Sequence, residues 1–452
     1  MDTDESKKMR LRSPTAFTEQ VATIDLDKIR KKPPPTKWFG LFRTARVQNA
    51  GWTVVFSAQQ RQGRVGHGPF SLWRVRVPLL WALWVIAFTY GELAASRIAL
   101  ASCKWTPNDP KEYRLAVVAD PQLTDFYSYK MEKQSWMLYL TEFYSDLYMR
   151  RHFQLLARKP DPPHGVLILG DLFDGGRILT LEEHMAHRER FEWIFGGHPS
   201  IQFWNMSGNH DVGIKQWNNE RANALQRETF GLSQYSVVLG QVEVVVVDSI
   251  AMLSDNPIVA QEAIAFVQMF GSMKAKKQFP RLLFTHIPLF RPKGSDCGPR
   301  RRKEPIAPGE GVSYQNVLSP QLTTLILIAI EPTHVFSGDD HSPCTYRHEQ
   351  FNVTEDSLAT FSWLQGERHP ELTMLTLRGS PVSQAPSLME TCALPDQMLL
   401  YFGYGFLGVA SLVYLAFGTL PRHEKSSRIA AYARVFVPIV LWYLFVLFLS
   451  VL

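Results

Sequence analysis

The chain has 452 residues, of which 46% are hydrophobic, and a formal net charge of +6. This length exceeds that of one ordinary domain, and the hydrophobic fraction is sufficient for a large core with apolar sequence to spare. Because the excess of Lys and Arg lies beside apolar segments, it indicates membrane topology and argues against a nucleic-acid-binding surface.

Three apolar segments are long enough to cross the roughly 30 Å hydrocarbon core of a membrane as helices. They cover residues 77–101, 398–420 and 435–452, and the first contains one acid, Glu92, near its far end. The first segment lies behind a long polar stretch, so we expect an uncleaved signal anchor and not a cleavable signal peptide. A buried helix of a soluble domain is the alternative for this segment.

Lys and Arg beside the spans predict the orientation, because cytoplasmic loops are enriched in positive charge. Residues 1–76, before the first span, and the loop 421–434, between the last two, are both basic. We therefore expect both to be cytoplasmic. Residues 104–396 would then lie on the lumenal or outer side of the membrane.

The chain has four cysteines, and these can form disulfides if residues 104–396 lie in an oxidising compartment. Cys103 follows the first span and Cys392 precedes the second, so both should lie near the same membrane face. Among three connectivities we favour pairing them, which leaves Cys297 with Cys344; buried free thiols are the alternative. Asn352 begins an Asn-Val-Thr sequon and is a candidate for glycosylation.

Residues 104–396 repeat one design, in which an apolar strand runs at once into a loop with polar side chains. The loops are Asp120-Pro-Gln122, Gly170-Asp-Leu-Phe-Asp174, Gly208-Asn-His-Asp211, His286 and Gly338-Asp-Asp-His341. Helical stretches at 131–158 and 181–196, and a strand hairpin at 235–249, lie between them. This alternation predicts a layered α/β domain whose polar loops gather at one edge of the sheets.

The stretch LILGDLFDGG, residues 167–176, ends a buried strand with two carboxylates, Asp171 and Asp174. Such carboxylates need a positive partner, because an unpaired buried charge costs several kcal/mol or more. An arginine, a helix N-terminus or a metal ion would serve. A metal is favoured because each of the other loops also offers an oxygen or imidazole nitrogen ligand.

In their order, the blocks D-x-[H/Q], GDxxD, GNHD, H and G-[H/D]-x-H resemble the calcineurin-like metallophosphoesterase superfamily. One block alone would be weak evidence, whereas five in sequence are specific. The resemblance implies a four-layer αββα sandwich within residues 104–396, accompanied by three transmembrane helices. It also implies a metal-dependent phosphoric ester hydrolase that uses two divalent ions to polarise a phosphoryl group and activate water.

The same resemblance implies a metal-binding role for each matching residue. The first ion would be bound by Asp120 and His341, both ions by Asp171, and the second by Asn209, His286 and Asp339. Gln122 and Asp339 occupy positions where many relatives have His. These replacements exchange nitrogen for oxygen and favour Mn²⁺ over Zn²⁺. Whether Gln122 binds directly or through water stays open.

Four further residues are candidates for contact with substrate or for its protonation. His210 would stabilise phosphate oxygens and protonate the departing oxygen, with Asp174 orienting its ring. Arg177, after the GDxxD block, and Arg291 would bind the anionic substrate. The basic run 300–303 could do the same, but a solvated loop is the favoured alternative.

The forms ADPQL, GDLFDGGR, GNHD and SGDDH resemble the eukaryotic metallophosphoesterases of glycosylphosphatidylinositol (GPI) maturation. This implies removal of an ethanolamine-phosphate side branch from a mannose of the GPI glycan in the endoplasmic reticulum membrane. The partner would be a membrane-embedded GPI glycolipid or GPI-anchored protein. A lumenal phosphatase for another phospholipid or a phosphoprotein is one alternative. A non-enzymatic cargo receptor for GPI-anchored proteins is the second alternative. An incomplete set of metal ligands would indicate that role, and the set in this sequence is complete.

Overall fold

The computed structural model describes residues 70–105, 112–273, 277–378, 387–416 and 425–451. Most of the predicted cytoplasmic segment 1–76, and residues 421–424 of the predicted loop 421–434, lie outside the described residues.

The helices alternate with strands along the chain, as the sequence predicts. The α-helices are α1 (Phe70–Thr89), α2 (Ala95–Ser102), α3 (Trp136–Ala157), α4 (Leu181–Phe195), α5 (Asn209–Val212), α6 (Glu220–Phe230), α7 (Ser249–Met252), α8 (Pro257–Ser272), α9 (Pro320–Ile330), α10 (Gln397–Ala416) and α11 (Lys425–Val451). A π-helical turn, Tyr90–Ala94, joins α1 to α2. The strands are β1 (Tyr113–Val118), β2 (Gly165–Ile168), β3 (Gln202–Asn205), β4 (Tyr235–Leu239), β5 (Val242–Val247), β6 (Arg281–Thr285), β7 (Glu310–Gly311), β8 (Tyr314–Gln315), β9 (His334–Ser337), β10 (Cys344–His348), β11 (Val353–Ser357), β12 (Glu371–Leu377) and β13 (Ser387–Ala393).

These strands form two mixed sheets and a small β7–β8 hairpin. The first sheet has the order β13-β12-β1-β2-β3, and the second has the order β10-β11-β9-β6-β5-β4. The neighbours β1, β2 and β3 are parallel, as are β5, β6 and β9. The carboxyl ends of parallel strands lie at one edge of a sheet, so the loops that follow them are brought together.

The layers follow from alternation of side chains along the strands. Leu115 and Val117 of β1 pack between the two sheets with Phe284 of β6. Val118 points to the opposite face, because successive strand residues alternate, and there it belongs to the core that contains Phe153 of α3. The second sheet packs its other face against α8 and α9. The predicted αββα sandwich is confirmed.

Three helices are long and apolar enough to cross a membrane, and they correspond to the predicted segments. They cover Arg76–Ser102, Gln397–Ala416 and Tyr432–Val451. Glu92, the acid in the first, lies in the π-helical turn and is buried. Its carboxylate is 2.7 Å from Nη2 of Arg151 in α3, and it accepts a 3.0 Å hydrogen bond from the Tyr404 hydroxyl. Such partners are what an ionised group in an apolar helix requires.

The cysteines form two disulfides, Cys103 with Cys392 and Cys297 with Cys344. The first joins the end of the first span to β13 at the edge of the first sheet. The second holds the loop after β6 against the start of β10. By constraining the unfolded chain, a disulfide typically contributes about 2–4 kcal/mol to the free energy of unfolding.

Candidate metal centre

The polar loops that follow β1, β2, β3, β6 and β9 meet at one edge of the two sheets. Asp120, Asp171 and His286 are buried there, and one ligand atom from each lies within 4.8 Å of the others. Asp120 and Asp171 come from the first sheet and His286 from the second. The site is therefore formed where the two sheets face each other.

His286 contacts ligand candidates from three other loops. Its Nε2 atom lies 2.9 Å from Oδ1 of Asn209, 3.4 Å from Oδ1 of Asp171 and 3.6 Å from Oδ1 of Asp339. Its Nδ1 atom lies 2.6 Å from the carbonyl oxygen of Leu169. A proton on Nδ1 donated to this carbonyl leaves the Nε2 lone pair for a metal, which is how outer hydrogen bonds select the tautomer of a ligating histidine.

The backbone at most of the predicted ligands is in the left-handed region, which is costly for residues with a side chain. Positive φ angles occur at Asp120 (46°), Gln122 (39°), Asp171 (50°), Asp339 (64°) and His341 (64°). Holding one residue in this backbone conformation costs about 1–3 kcal/mol of folding free energy, and such strained residues concentrate at functional sites. The surrounding fold therefore holds these side chains together at a measurable cost in stability.

Two glycines allow the loops to approach closely. A Cβ atom at Gly208 would lie 2.0 Å from Oδ1 of Asp171, and one at Gly170 would lie 2.7 Å from Nδ1 of His286. Gly170 also has a φ of 86°. This is the physical reason for glycine at the start of both the GDxxD and the GNHD blocks.

The charges at this edge fit divalent cations. Burial raises the pKa of Asp120 well above its usual range, and the carboxylates of Asp171 and Asp339 add to this shift. Burial likewise raises the pKa of Asp339, and Asp171 adds to it. Among the described residues, no hydrogen-bond donor meets the buried Asp120 Oδ2 or Gln122 Oε1. Oxygen-rich clusters with unmet acceptors are the type of site that binds hard divalent ions.

Gln122 lies beside the carboxylate that is predicted to bridge the ions. Its Nε2 atom donates a 2.8 Å hydrogen bond to Oδ2 of Asp171. The amide nitrogen thus orients Asp171, and the amide oxygen is the atom of Gln122 that could bind a metal directly or through water.

His210 and Asp174 form a contact at the edge of this cluster. Nδ1 of His210 is 2.7 Å from Oδ1 of Asp174, and the backbone N–H of His210 donates to Oδ1 of Asp171 at 2.9 Å. Burial alone would lower the pKa of His210, but the carboxylates of Asp171 and Asp174 outweigh it and raise the pKa to about 10. The ring is therefore held by Asp174 in an environment that favours the protonated form.

Arg177 is partly exposed at the same edge. Its Nη1 atom lies 3.4 Å from the carbonyl oxygens of Asp174 and His210. Its guanidinium carbon lies 4.8 Å from the ring centroid of Tyr127. These contacts hold the guanidinium beside His210, in a position from which it can reach an anionic group.

The position of Arg291 corrects the expectation that it contacts substrate. Its side chain is fully buried, and Nη2 lies 3.0 Å from Oε2 of Glu355. Nη1 also donates to Sγ of Cys344 at 2.9 Å. The Glu355 carboxylate offsets the free energy of burying the Arg291 charge. The pair joins the loop after His286 to β11 of the second sheet.

The basic run 300–303 is not simply solvated. Arg300 pairs with Glu371 and Arg301 pairs with Asp340, the residue after Asp339. These two arginines therefore hold the loop against the domain, and the favoured alternative from the sequence was wrong for them.

Two acids that stabilise the loops are not among the predicted site residues. Asp211 accepts hydrogen bonds from the backbone N–H groups of Leu172, Phe173 and Gly208. Asp125 accepts one from Gly175 at 2.8 Å. Both shape the GDxxD loop. Asp211 ends the GNHD block, and that position predicts that it holds the turn, whereas closeness in sequence to Asp120 was the signal for Asp125.

Known proteins resemble this chain along most of its length, although no family model matches it. Cell division control protein 1 of Saccharomyces cerevisiae is 30% identical over 76% of this chain and 75% of its own length. A metallophosphoesterase 1 homolog of Drosophila melanogaster is 24% identical over 75% of this chain and 93% of its own length. Metallophosphoesterase 1 of Mus musculus is 30% identical over 56% of this chain and 67% of its own length.

Two of these three relatives are named metallophosphoesterase 1 or a homolog of it. Metallophosphoesterases require divalent ions, and the residues brought together here fit such ions. The chain belongs to the calcineurin-like metallophosphoesterase superfamily and is a metal-dependent phosphoric ester hydrolase.

Proposed function

We propose that this enzyme removes an ethanolamine-phosphate side branch from a mannose of the GPI glycan. It would act in the endoplasmic reticulum membrane, with residues 104–396 on the lumenal side. The observation that carries the proposal is the buried ion pair between Glu92, in the first span, and Arg151 of the phosphoesterase domain, at 2.7 Å. This pair holds the domain against the membrane-spanning helices, which suits a phosphodiester that is itself anchored in the membrane.

The proposed metal ligands divide into two groups around Asp171. One ion would be held by Asp120 and His341, with Gln122 beside them, and the other by Asn209, His286 and Asp339. When bound, two divalent ions polarise a phosphoryl group and supply an activated water. The two replacements of nitrogen donors by Gln122 and Asp339 support Mn²⁺ as the ion.

The residues of the chain itself would bind the phosphodiester and supply a proton. Nδ1 of His210 is held by Asp174 at 2.7 Å, which leaves Nε2 for the oxygen of the departing mannose. Protonation of that oxygen by a positioned acid typically contributes 10²–10⁴-fold in rate. Arg177, which lies beside the carbonyl of His210, would bind a non-bridging phosphate oxygen.

The test is hydrolysis of GPI intermediates by the purified full-length enzyme, read by mass spectrometry of the glycan. The proposal expects release of ethanolamine phosphate, loss of activity in Asp171→Asn, and accumulation of the branched glycan in cells that lack the protein. Hydrolysis of lipid phosphates or phosphoproteins with an unchanged GPI glycan would instead favour a lumenal phosphatase of another class. Normal glycans with impaired export of GPI proteins would favour a cargo receptor.

A further inference from the structure

The long helix α3 begins with an apolar surface that the phosphoesterase domain does not cover. Trp136 is 69% exposed, Met137 51%, Tyr139 36% and Leu140 44%. We call these four residues the N-terminal apolar face. Between them, Leu138 is buried and turns toward the domain. A contiguous patch of large apolar side chains usually marks an interaction surface.

The helix α3 lies beside the end of the last span, α11. The hydroxyl of Tyr144 is 3.0 Å from that of Tyr443, and Nη2 of Arg151 donates to Oγ of Ser450 at 3.3 Å. Both contacts join the middle of α3 to the second half of α11, and they lie seven residues apart on each helix. Seven helical residues correspond to about 10 Å on each axis.

The contacts of Tyr144 indicate on which side of α3 the N-terminal apolar face lies. Leu140 and Met137 lie four and seven residues before Tyr144, so they are on the same side of α3 as Tyr144, which is the side that contacts α11. Trp136 is about 12 Å further back along the helix axis. Tyr144 also contacts Tyr401, near the start of the span α10, with ring centroids 5.8 Å apart. Met137 and Leu140 of the N-terminal apolar face therefore continue the side of α3 that contacts two spans.

The few polar groups in this part of α3 have partners that reduce the cost of such a position. The hydroxyl of Thr141 donates to the carbonyl oxygen of Met137 at 2.9 Å. Glu142 lies 3.4 Å from Nη1 of Arg190, on the side of the helix that faces the domain. Trp and Tyr are the side chains most enriched at membrane interfaces, because an apolar ring carries a polar group at its edge.

We propose that the first two turns of α3 insert into the membrane leaflet next to the phosphoesterase domain, with the acyl chains and headgroups covering the N-terminal apolar face. This inference rests on the membrane placement in the proposed function and adds to it a fourth, non-spanning membrane contact. An amphipathic helix of this kind lies about 5–10 Å into the boundary between headgroups and acyl chains.

The inserted turns would fix the height of the metal centre above the membrane. A short loop joins Asp125 to the start of α3, and the carboxylate of Asp125 accepts a 2.8 Å hydrogen bond from the N–H of Gly175, next to Asp174. The same loop is fixed on its other side, where the Tyr129 hydroxyl donates to the Leu364 carbonyl oxygen at 2.7 Å. A phosphodiester near the headgroups would then meet the site without leaving the bilayer.

The direct test is the depth of a spin label on the full-length protein in phosphatidylcholine vesicles. All four native cysteines are in disulfides, so Leu140→Cys or Met137→Cys adds a single reactive thiol. Ile258→Cys is the matched control, because Ile258 is 73% exposed on α8 in the opposite outer layer. Labels at 137 and 140 should be more accessible to oxygen than to a water-soluble nickel reagent. The control label should show the reverse, and nickel accessibility at 137 and 140 equal to that of the control would overturn the proposal.

A kinetic test uses Leu140→Glu, with Ile258→Glu as its control. Both variants should hydrolyse a water-soluble phosphodiester, bis-p-nitrophenyl phosphate, within about twofold of the native rate. Leu140→Glu should lose tenfold or more on a phosphodiester embedded in vesicles. Equal loss on both substrates would overturn the proposal. The depth of the labels does not depend on the substrate. The depth measurement can therefore fail or succeed independently of the GPI assignment, so the two failures are distinguishable.

Discussion

The Oδ1 atom of Asp171 lies 3.4 Å from Nε2 of His286, although these residues end strands of different sheets. Both are almost completely buried, and Asp171 is also the acceptor for Gln122 and for the backbone of His210. Asp171 therefore has contacts with both groups of proposed ligands, which is the position required of a carboxylate that bridges two ions.

Asp171→Asn is expected to lose bound metal and activity together, because the amide supplies neither the charge nor the second anionic oxygen. The loss in kcat/KM should be at least about 10³-fold, since metal ions supply several kcal/mol of transition-state stabilisation. Elemental analysis and phosphodiester hydrolysis on the same preparation would measure this. Asp255→Asn, at an exposed acid, is the control. Two retained metal equivalents in Asp171→Asn would show that Asp171 is not the bridge.

His210 and Asp174 are expected to act as one unit. His210→Asn should reduce kcat by about 10²–10⁴-fold with metal retained, and Asp174→Asn by about 10–100-fold. The double variant should be no slower than His210→Asn alone, because Asp174 acts through the imidazole. The loss in kcat should be smaller for p-nitrophenyl esters, because p-nitrophenolate leaves without being protonated. Additive losses, or equal losses for good and poor leaving groups, would contradict this assignment.

The buried pair of Arg291 and Glu355 predicts a large change in stability. Burial would raise the pKa of Glu355, but the guanidinium of Arg291, together with His348 and the hydrogen bond from Ser337, outweighs it and lowers the pKa below its ordinary value. Glu355→Gln should therefore cost about 3–5 kcal/mol at neutral pH, because the buried Arg291 charge loses its partner. Arg300→Gln, at a partly exposed pair, should cost about 0–1 kcal/mol.

The Arg291–Glu355 contribution should also depend on pH. A carboxyl whose pKa is lowered on folding stabilises the protein above its unfolded pKa, about 4.3 for Glu, and this contribution is lost as pH falls through the folded pKa. The difference in melting temperature between native protein and Glu355→Gln should be constant above about pH 5 and should narrow in stronger acid. If the difference in melting temperature instead grows as the pH falls, the sign is opposite to that expected for a carboxyl whose pKa is lowered on folding.

Asp339 is expected to bias the site towards Mn²⁺. Apo protein should recover most activity with Mn²⁺ when Mn²⁺, Zn²⁺, Mg²⁺ and Ca²⁺ are compared. Asp339→His should shift the preference towards Zn²⁺ at some cost in rate, because imidazole is the softer donor. Asp339→Ala should require more Mn²⁺ for half-maximal activity. If Asp339→Ala stays fully active at limiting Mn²⁺, Asp339 is not a ligand.

Asn352 provides a test of topology. The residue is exposed and follows a short 3₁₀ turn. Asn205 begins an Asn-Met-Ser sequon, but its amide donates to the carbonyl oxygen of Phe230 at 3.0 Å. Endoglycosidase should increase the mobility of the native protein but not of Asn352→Gln, and Asn205→Gln serves as the control. Cleavage of the phosphoesterase domain by protease in sealed microsomes would place it on the cytoplasmic side instead.

Local patterns in the sequence were sufficient to predict a layered α/β domain whose polar loops gather at one edge. Strand residues alternate between two faces, and β1, β2, β6 and β9 carry buried apolar residues on both faces, whereas β3 is exposed or half-buried. Such strands must be covered on both sides, which indicates a layered domain, and the four-layer sandwich itself was an expectation from the family resemblance. Because the polar blocks follow parallel strands directly, they had to gather at one edge. Hydropathy likewise located the three apolar helices.

The tertiary structure alone decided which charges are paired. Arg291 looks like a free cation in the sequence, but its partner Glu355 lies far along the chain in β11. The same is true of Glu92 and Arg151, and of the contacts that bring α3 beside α11. The tautomer of His286 depends on the carbonyl of Leu169 in another sheet. Each of these features depends on a distance between residues remote in sequence, and hydrophobic periodicity contains no information about such distances.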